Sequence, residues 1–156
     1  MDFTQIRQFN FPTVIRFGVG AVKELAPYVT SQGFSKPLLV TDPVIAQLGF
    51  FKQILGDLEK AGFSVEVFSN IHKNPVKSDV YAGTEVWDAT GRDCLIGIGG
   101  GAALDVARAI VLQVNHREDL FTYDDLIGGD VYVTNDVPHF ITIPTTSGTG
   151  SEVVRS

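Results

Sequence analysis

The sequence holds a single cysteine, Cys94, so an internal disulfide framework is excluded and a reducing compartment is compatible with it. Basic residues are scarce and scattered. Twelve Lys and Arg stand against eighteen Asp and Glu, for a net charge of −6. No basic stripe exists to neutralise a row of phosphates, which excludes nucleic acid and anionic membranes as expected partners. No apolar run approaches the roughly 20 residues of a membrane span. The opening Met-Asp-Phe-Thr-Gln has no basic region leading into an apolar one. No signal peptide is therefore expected, and the cytoplasm is the default setting. Repeats, heptads and low-complexity tracts are also missing.

What is present is an apolar fraction of 44% over 156 residues, enough for one domain with a real core, and 16 glycines that punctuate it. Residues 9–17 alternate loosely and predict a strand, with Pro12 marking it as an edge. Val22, Leu25, Ala26 and Val29 mark a helix face that closes near Gly33, with Pro27 shortening or kinking it. Residues 37–42 form the next predicted strand, stopped by Pro43. Asp42 therefore stands at a carboxyl strand end. There it can accept the two hydroxyls of a ribose, or cap a short helix starting at Pro43; the local sequence leaves both open. An amphipathic helix over 50–61 and an alternating strand over 63–68 follow. Asn74, held extended before Pro75, can project its amide, although a plain turn is the simpler reading. Residues 78–91 read as a helix with Trp87 in the core, 117–130 as an exposed acidic loop, and 131–133 as a short strand or extended segment. The last strand covers 139–144. Strands and helices alternate, which predicts an α/β fold with a doubly wound, mainly parallel sheet, Rossmann-like, over residues 1–156.

Two loops carry the chemistry. Residues 94–98 read as a buried strand, followed without a spacer by Gly99, Gly100 and Gly101 and then by a helix to about Asn115. A helix N-terminus offers unpaired N–H groups and partial positive charge, and glycines let an anion reach them. Gly97, Gly99 and Ala102 fit the spacing G-x-G-x-x-[GA], but the ordinary dinucleotide fingerprint sits on a first strand with an acidic residue about twenty positions later. Here the loop comes late and the region of Asp119 is a polar turn, so the acidic partner is sought elsewhere. The second loop, Thr145-Thr146-Ser147-Gly148-Thr149-Gly150-Ser151-Glu152, places five hydroxyls and two glycines directly past a strand. Hydroxyls and backbone amides can hold a pyrophosphate or a ribose, and a flexible linker would not begin so abruptly.

Together the loops point to a family. Gly99-Gly100-Gly101-Ala102-Ala103-Leu104-Asp105-Val106-Ala107-Arg108 resembles the GGGS-x-x-D-x-A-K signature of the iron-containing (group III) alcohol dehydrogenases. Pro144-Thr145-Thr146-Ser147-Gly148-Thr149-Gly150-Ser151-Glu152-Val153 resembles that family's PTT-x-GTGSE motif. Arg16-Phe17-Gly18-x-Gly20, Val40-Thr41-Asp42 and Asn74-Pro75 fall at its positions and in its order. The resemblance covers the family's N-terminal, nucleotide-binding part only. It implies hydride transfer between NAD(H) and a small alcohol or aldehyde, with NADP disfavoured. Asp42 would bind the adenosine ribose, Gly100 and Gly101 would hold the pyrophosphate, and Gly99 and Ala102 would belong to the same cofactor-binding loop. Asn74, Thr145, Thr146 and Thr149 would line the nicotinamide side and the phosphates. Asp105, taken to lie in the first turn of its helix, would suit the helix dipole or orient the loop. Two positions depart from the pattern. Ala102 replaces a serine and removes a hydroxyl; Arg108 replaces a lysine, keeping charge but not geometry.

The resemblance further implies a divalent metal, Fe²⁺ or Zn²⁺, whose Asp and His ligands lie in a helical C-terminal domain of the parent protein, outside this chain. His72, His116 and His139 match none of those positions, so no metal ligands are assigned here. A homodimer is expected of the parent. The shortened chain is expected to self-associate, to bind NAD weakly or not at all, and to be inactive on its own. Competing readings are a glycerol-type polyol dehydrogenase, dehydroquinate synthase, a non-catalytic dinucleotide module and a plain structural domain. The Thr-rich second loop argues against the first two.

Overall fold

The computed structural model describes residues 7–11 and 13–151. Pro12, together with Glu152 and Val153 of the second motif, lies outside them. Strands β1 (Arg7–Phe11) and β2 (Thr13–Phe17) form an antiparallel ladder with Arg7 opposite Phe17 and Phe11 opposite Thr13. The single strand expected over 9–17 is therefore two. A period-2 pattern reads the same on either arm of a hairpin and does not report a reversal of direction.

A second, four-stranded sheet holds β3 (Pro37–Val40), β4 (Glu66–Phe68), β5 (Cys94–Gly99) and β6 (His139–Pro144). Its order is β4-β3-β5-β6 and every pair is parallel. Helices α1 (Leu25–Ser31), α2 (Gly49–Lys60), α3 (Lys77–Thr90) and α4 (Gly101–Asn115) cover it. On one face, Leu39, Cys94, Ile96 and Ile98 pack against Leu25 and Val29 of α1 and Phe51, Ile54 and Leu58 of α2. On the other, Leu38, Val40 and Leu95 meet Val80 and Trp87 of α3 and Ala103, Val106, Ala107 and Ile110 of α4. Helices on both faces explain why β3 and β5 read as unbroken apolar runs rather than alternating ones. All six residues of β5 are buried. The expected doubly wound parallel α/β sheet is the observed fold.

Where α4 crosses the middle of β5, the strand has no side chain. A Cβ on Gly97 would stand 2.9 Å from Ala107 Cβ, so α4 lies against bare backbone of β5. Pro27 is the third residue of α1, in the first turn, where a missing N–H costs no helical hydrogen bond. The strand expected over 63–68 shrinks to three residues because its partner β3 is itself only four long. Residues 131–133 do not form the expected strand or extended segment. Gly129–Tyr132 is a 3-10 turn, entered through left-handed Gly128 at φ 80°. In the same loop Asp119 and Asp124 accept the N–H groups of Phe121 and Leu126, so these carboxylates cap turns.

The chain runs from β3 outward to β4, then returns across β3 to β5. Neighbouring β3 and β5 thus send their following loops to opposite sides, which opens a crevice at their carboxyl ends. The turn after β4 is fixed by Asp79 of α3, which is 2% exposed. Its carboxylate accepts the N–H groups of His72 and Val76, both at 3.1 Å, and lies 2.6 Å from His72 Nδ1. Burial alone would raise the Asp79 pKa, but the His72 ring and the two backbone N–H groups outweigh it and hold the carboxyl below its ordinary value. Stability from a depressed carboxyl is complete above the unfolded pKa of about 4 and is lost as pH falls through the folded one. Asp79→Asn is thus expected to lower unfolding free energy near neutrality by about 1–3 kcal/mol and to flatten the loss of stability below about pH 4. Urea denaturation across pH 2–7 measures both, and an unchanged acid limb would contradict this role.

Candidate functional site

The crevice is floored by Gly99 at the end of β5 and by Gly100 and Gly101 at the start of α4, and each faces a different partner. Gly99 has φ 153°, and a Cβ there would lie 2.7 Å from Ala103 Cβ and 3.6 Å from Asp42 Oδ2. A Cβ on Gly100 would lie 3.2 Å from Thr146 Oγ1. On Gly101 it would lie 3.3 Å from Ser151 Oγ and 3.4 Å from Thr149 Cβ. The structure therefore brings Asp42, Gly99–Gly101, Thr146, Thr149 and Ser151 together. The Thr145 N–H donates to the Gly99 carbonyl at 2.8 Å, which ties the start of the second loop to the end of β5.

Gly100 precedes α4 in extended conformation, and no side chain caps the helix. The first helical bond runs from the Leu104 N–H to the Gly100 carbonyl. The N–H groups of Gly101, Ala102 and Ala103 consequently have no partner within the helix, and the positive end of its dipole faces the crevice. Ala102 adds no hydroxyl there. The hydroxyl loop turns through Gly148 and Gly150, both left-handed at φ 82° and 76°. Thr145, Thr146 and Thr149 are exposed at its surface.

Of the two roles the sequence left open for Asp42, the structure shows the cap, and it occupies only one carboxylate oxygen. Oδ1 accepts the N–H groups of Val44 and Ile45, each at 2.8 Å, and so caps the 3-10 turn Ile45–Gln47. Oδ2 is the atom that faces Gly99. Asn74 is exposed in the turn after β4, held there through Asp79; no hydrogen bond among the described residues joins its side chain to the glycine loop. Asp105 differs from expectation. Because α4 already starts at Gly101, Asp105 is its fifth residue, and the first turn carries no acidic group. Two residues of the site carried no assignment from sequence. Ser151 is 5% exposed, the most buried hydroxyl of its loop, and Arg108 Nη2 donates to the Ser151 carbonyl. Both depend on how the loop curls back over α4, which no local pattern encodes.

Among the described residues no group of three or more His, Cys, Asp or Glu could hold a metal. The histidines have other partners. His72 meets Asp79, His116 Nδ1 lies 2.9 Å from the Leu112 carbonyl, and His139 stacks on Phe34. Burial lowers the His139 pKa. Burial likewise pushes the Cys94 thiol up to about 12, which leaves it a small apolar side chain inside the sheet.

The domain is of the doubly wound parallel α/β class, whose ligands sit outside the carboxyl ends of the strands at a switch point, and here that point gathers glycine backbone, a helix N-terminus, hydroxyls and one carboxylate. Known proteins identify it further. Residues 12–156 match the family model "Iron-containing alcohol dehydrogenase", and the chain belongs to that family. It is 37% identical over 147 residues to choline dehydrogenase of Bacillus subtilis, covering 94% of this chain and 36% of that protein. Among solved structures, 1,3-propanediol oxidoreductase superposes with a TM-score of 0.78 at 29% identity, over 87% of this chain and 35% of the other. Sulfoacetaldehyde reductase from Bifidobacterium kashiwanohense, solved with NAD⁺, gives 0.70 at 25% identity, over 86% and 34%. The chain thus spans about a third of the length of these relatives.

The glycines make unequal predictions. At Gly99 an added Cβ meets Ala103 inside 3.0 Å at a backbone angle L residues avoid, so Gly99→Ala should destabilise by about 1–3 kcal/mol. At Gly100, φ is −80° and the neighbour is a rotatable hydroxyl, so Gly100→Ala should change stability by less than about 1 kcal/mol. Equilibrium unfolding of the two variants tests the contrast; equal losses would contradict the geometry.

Proposed function

We propose that the crevice binds NAD(H) and that this domain is the nucleotide-binding part of a metal-dependent alcohol dehydrogenase. One observation carries the reading: two loops free of bulky side chains converge on one helix N-terminus, with a carboxylate at the neighbouring strand end. The NAD⁺ bound in the related sulfoacetaldehyde reductase supports it. The pyrophosphate would be held by the backbone N–H groups of Gly100, Gly101 and Ala102 and by the Thr146 and Thr149 hydroxyls, where the α4 dipole favours negative charge. Asp42 Oδ2 would accept hydroxyls of the adenosine ribose. A 2′-phosphate would instead meet this carboxylate, and that disfavours NADP. Thr145 and Asn74 would line the nicotinamide side, and exposed Asp105 would orient the loop from outside. When bound, the nicotinamide supplies the hydride acceptor or donor.

Metal chemistry is assigned to the rest of the enzyme, since the histidines of this chain already serve other contacts. We propose Fe²⁺ as that metal, in keeping with the family's description, with Zn²⁺ as the alternative. The substrate would be a small alcohol or the matching aldehyde. The relatives named for choline, 1,3-propanediol and sulfoacetaldehyde have in common a small molecule with a hydroxyl or aldehyde group, which supports this substrate class. A cytoplasmic homodimer is the assembly we expect of the whole protein. This chain alone should not oxidise alcohol, but because both loops of the cradle are assembled within it, we propose that it binds the nucleotide weakly yet measurably.

Calorimetric titration with NAD, NADP and ADP-ribose is the direct test. NAD and ADP-ribose should bind alike and NADP more weakly. Asp42→Ala should weaken NAD by about tenfold or more, as expected for a lost charge-assisted hydrogen bond, and should narrow the gap to NADP. Equal binding of NAD and NADP by the unmodified chain would overturn the role of Asp42. No heat with any of the three would overturn the nucleotide reading.

A further inference from the structure

The second loop is fastened at two points. Its start is held by the Thr145 N–H on the Gly99 carbonyl, a bond that prolongs the β5–β6 ladder. Its end is held by Arg108 of α4, whose Nη2 donates to the Ser151 carbonyl. The Arg108 guanidinium carbon stands 5.9 Å from the Phe140 ring centroid, so a β6 side chain supports the cation from below. Arg108 lies seven residues after Gly101, two helical turns along the same side of α4. From there it draws Ser151 over the helix start, where Ser151 Oγ and Thr149 Cβ come within 3.3 and 3.4 Å of the position a Gly101 Cβ would take. The Ser151 N–H in turn points to Thr149 Oγ1 at 3.3 Å.

We propose that Arg108 is a positioning residue for the cofactor. Its bond to the Ser151 carbonyl sets how closely the hydroxyl loop approaches Gly100 and Gly101, and so whether Thr146 and Thr149 reach the same anion as the helix N–H groups. The inference rests on the NAD reading above. Arg108 touches no cofactor atom in this scheme. It acts by fixing a loop whose two left-handed glycines otherwise leave it pliable. An unpositioned loop would have to be ordered at the moment of binding, and that ordering subtracts from affinity.

The test uses the full chain carrying Arg108→Met and Arg108→Lys, titrated with ADP-ribose beside Asp42→Ala. Methionine keeps an unbranched stem over Phe140 but removes every donor. Arg108→Met is expected to weaken ADP-ribose by about tenfold, the equivalent of one hydrogen bond from a charged group, while the thermal transition stays near that of the unmodified chain. Arg108→Lys, which retains a charged donor, should recover most of that loss. Unaltered affinity in Arg108→Met would overturn the proposal. So would a loss that appears only together with a lowered thermal transition and that Lys fails to restore, since Arg108 would then serve folding alone. If the unmodified chain ignores ADP-ribose, or Asp42→Ala binds it equally well, the nucleotide reading itself fails and takes this proposal with it.

Discussion

The site depends on backbone approaching backbone without side chains between. The parallel ladder of β5 and β6 places Gly99 beside Pro144, and one further bond, from the Thr145 N–H to the Gly99 carbonyl, carries that register into the loops. The two loops are consequently not independent segments that happen to meet. They are continuations of adjacent strands, aligned by the same pairing. A larger residue at Gly99 would push the alignment apart, because its Cβ meets Ala103 at 2.7 Å, whereas at Gly100 and Gly101 the nearest atoms are the Thr146 and Ser151 hydroxyls at 3.2 and 3.3 Å, close enough to sense a side chain but able to give way.

The proposed site would hold its anion with little help from fixed positive charge among the described residues. Helix N–H groups and hydroxyls surround the position proposed for the pyrophosphate, and Arg108 is engaged with the Ser151 carbonyl of the loop. Such a cradle favours a diphosphate bridge over an isolated carboxylate chiefly through the number of donors it can direct at once. Asp42 then adds a negative group at the far strand end, suited to hydroxyls and ill suited to another phosphate. The sharing of work between its two oxygens matters. The oxygen that caps the turn after β3 fixes the carboxylate, and this lets the other hold a set direction toward Gly99.

Much of this was legible in the order of residues. Three glycines without a spacer after an apolar run, and hydroxyls starting at once after another, locate both loops because each pattern reflects a local need of strand ends and helix starts. Direction and curl were not legible. The hairpin either side of residue 12 looks like one strand, since alternation carries no sign. Residues 131–133 have strand-like side chains but are caught in a turn that Gly128 and the Gly129 N–H to Asp124 carbonyl bond impose. Asp105 sits one position deeper in α4 than expected because the helix recruits Gly101 itself. Ser151 and Arg108 meet across 43 positions, a contact that exists only once the loop has folded back.

The most direct measurement is a crystal structure of the chain with NAD or ADP-ribose bound. The account requires the pyrophosphate between Gly100–Gly101 and Thr146, with the adenosine ribose on Asp42 Oδ2. A dinucleotide seated elsewhere on the domain, or one whose diphosphate leaves the α4 N-terminus unoccupied, would contradict it.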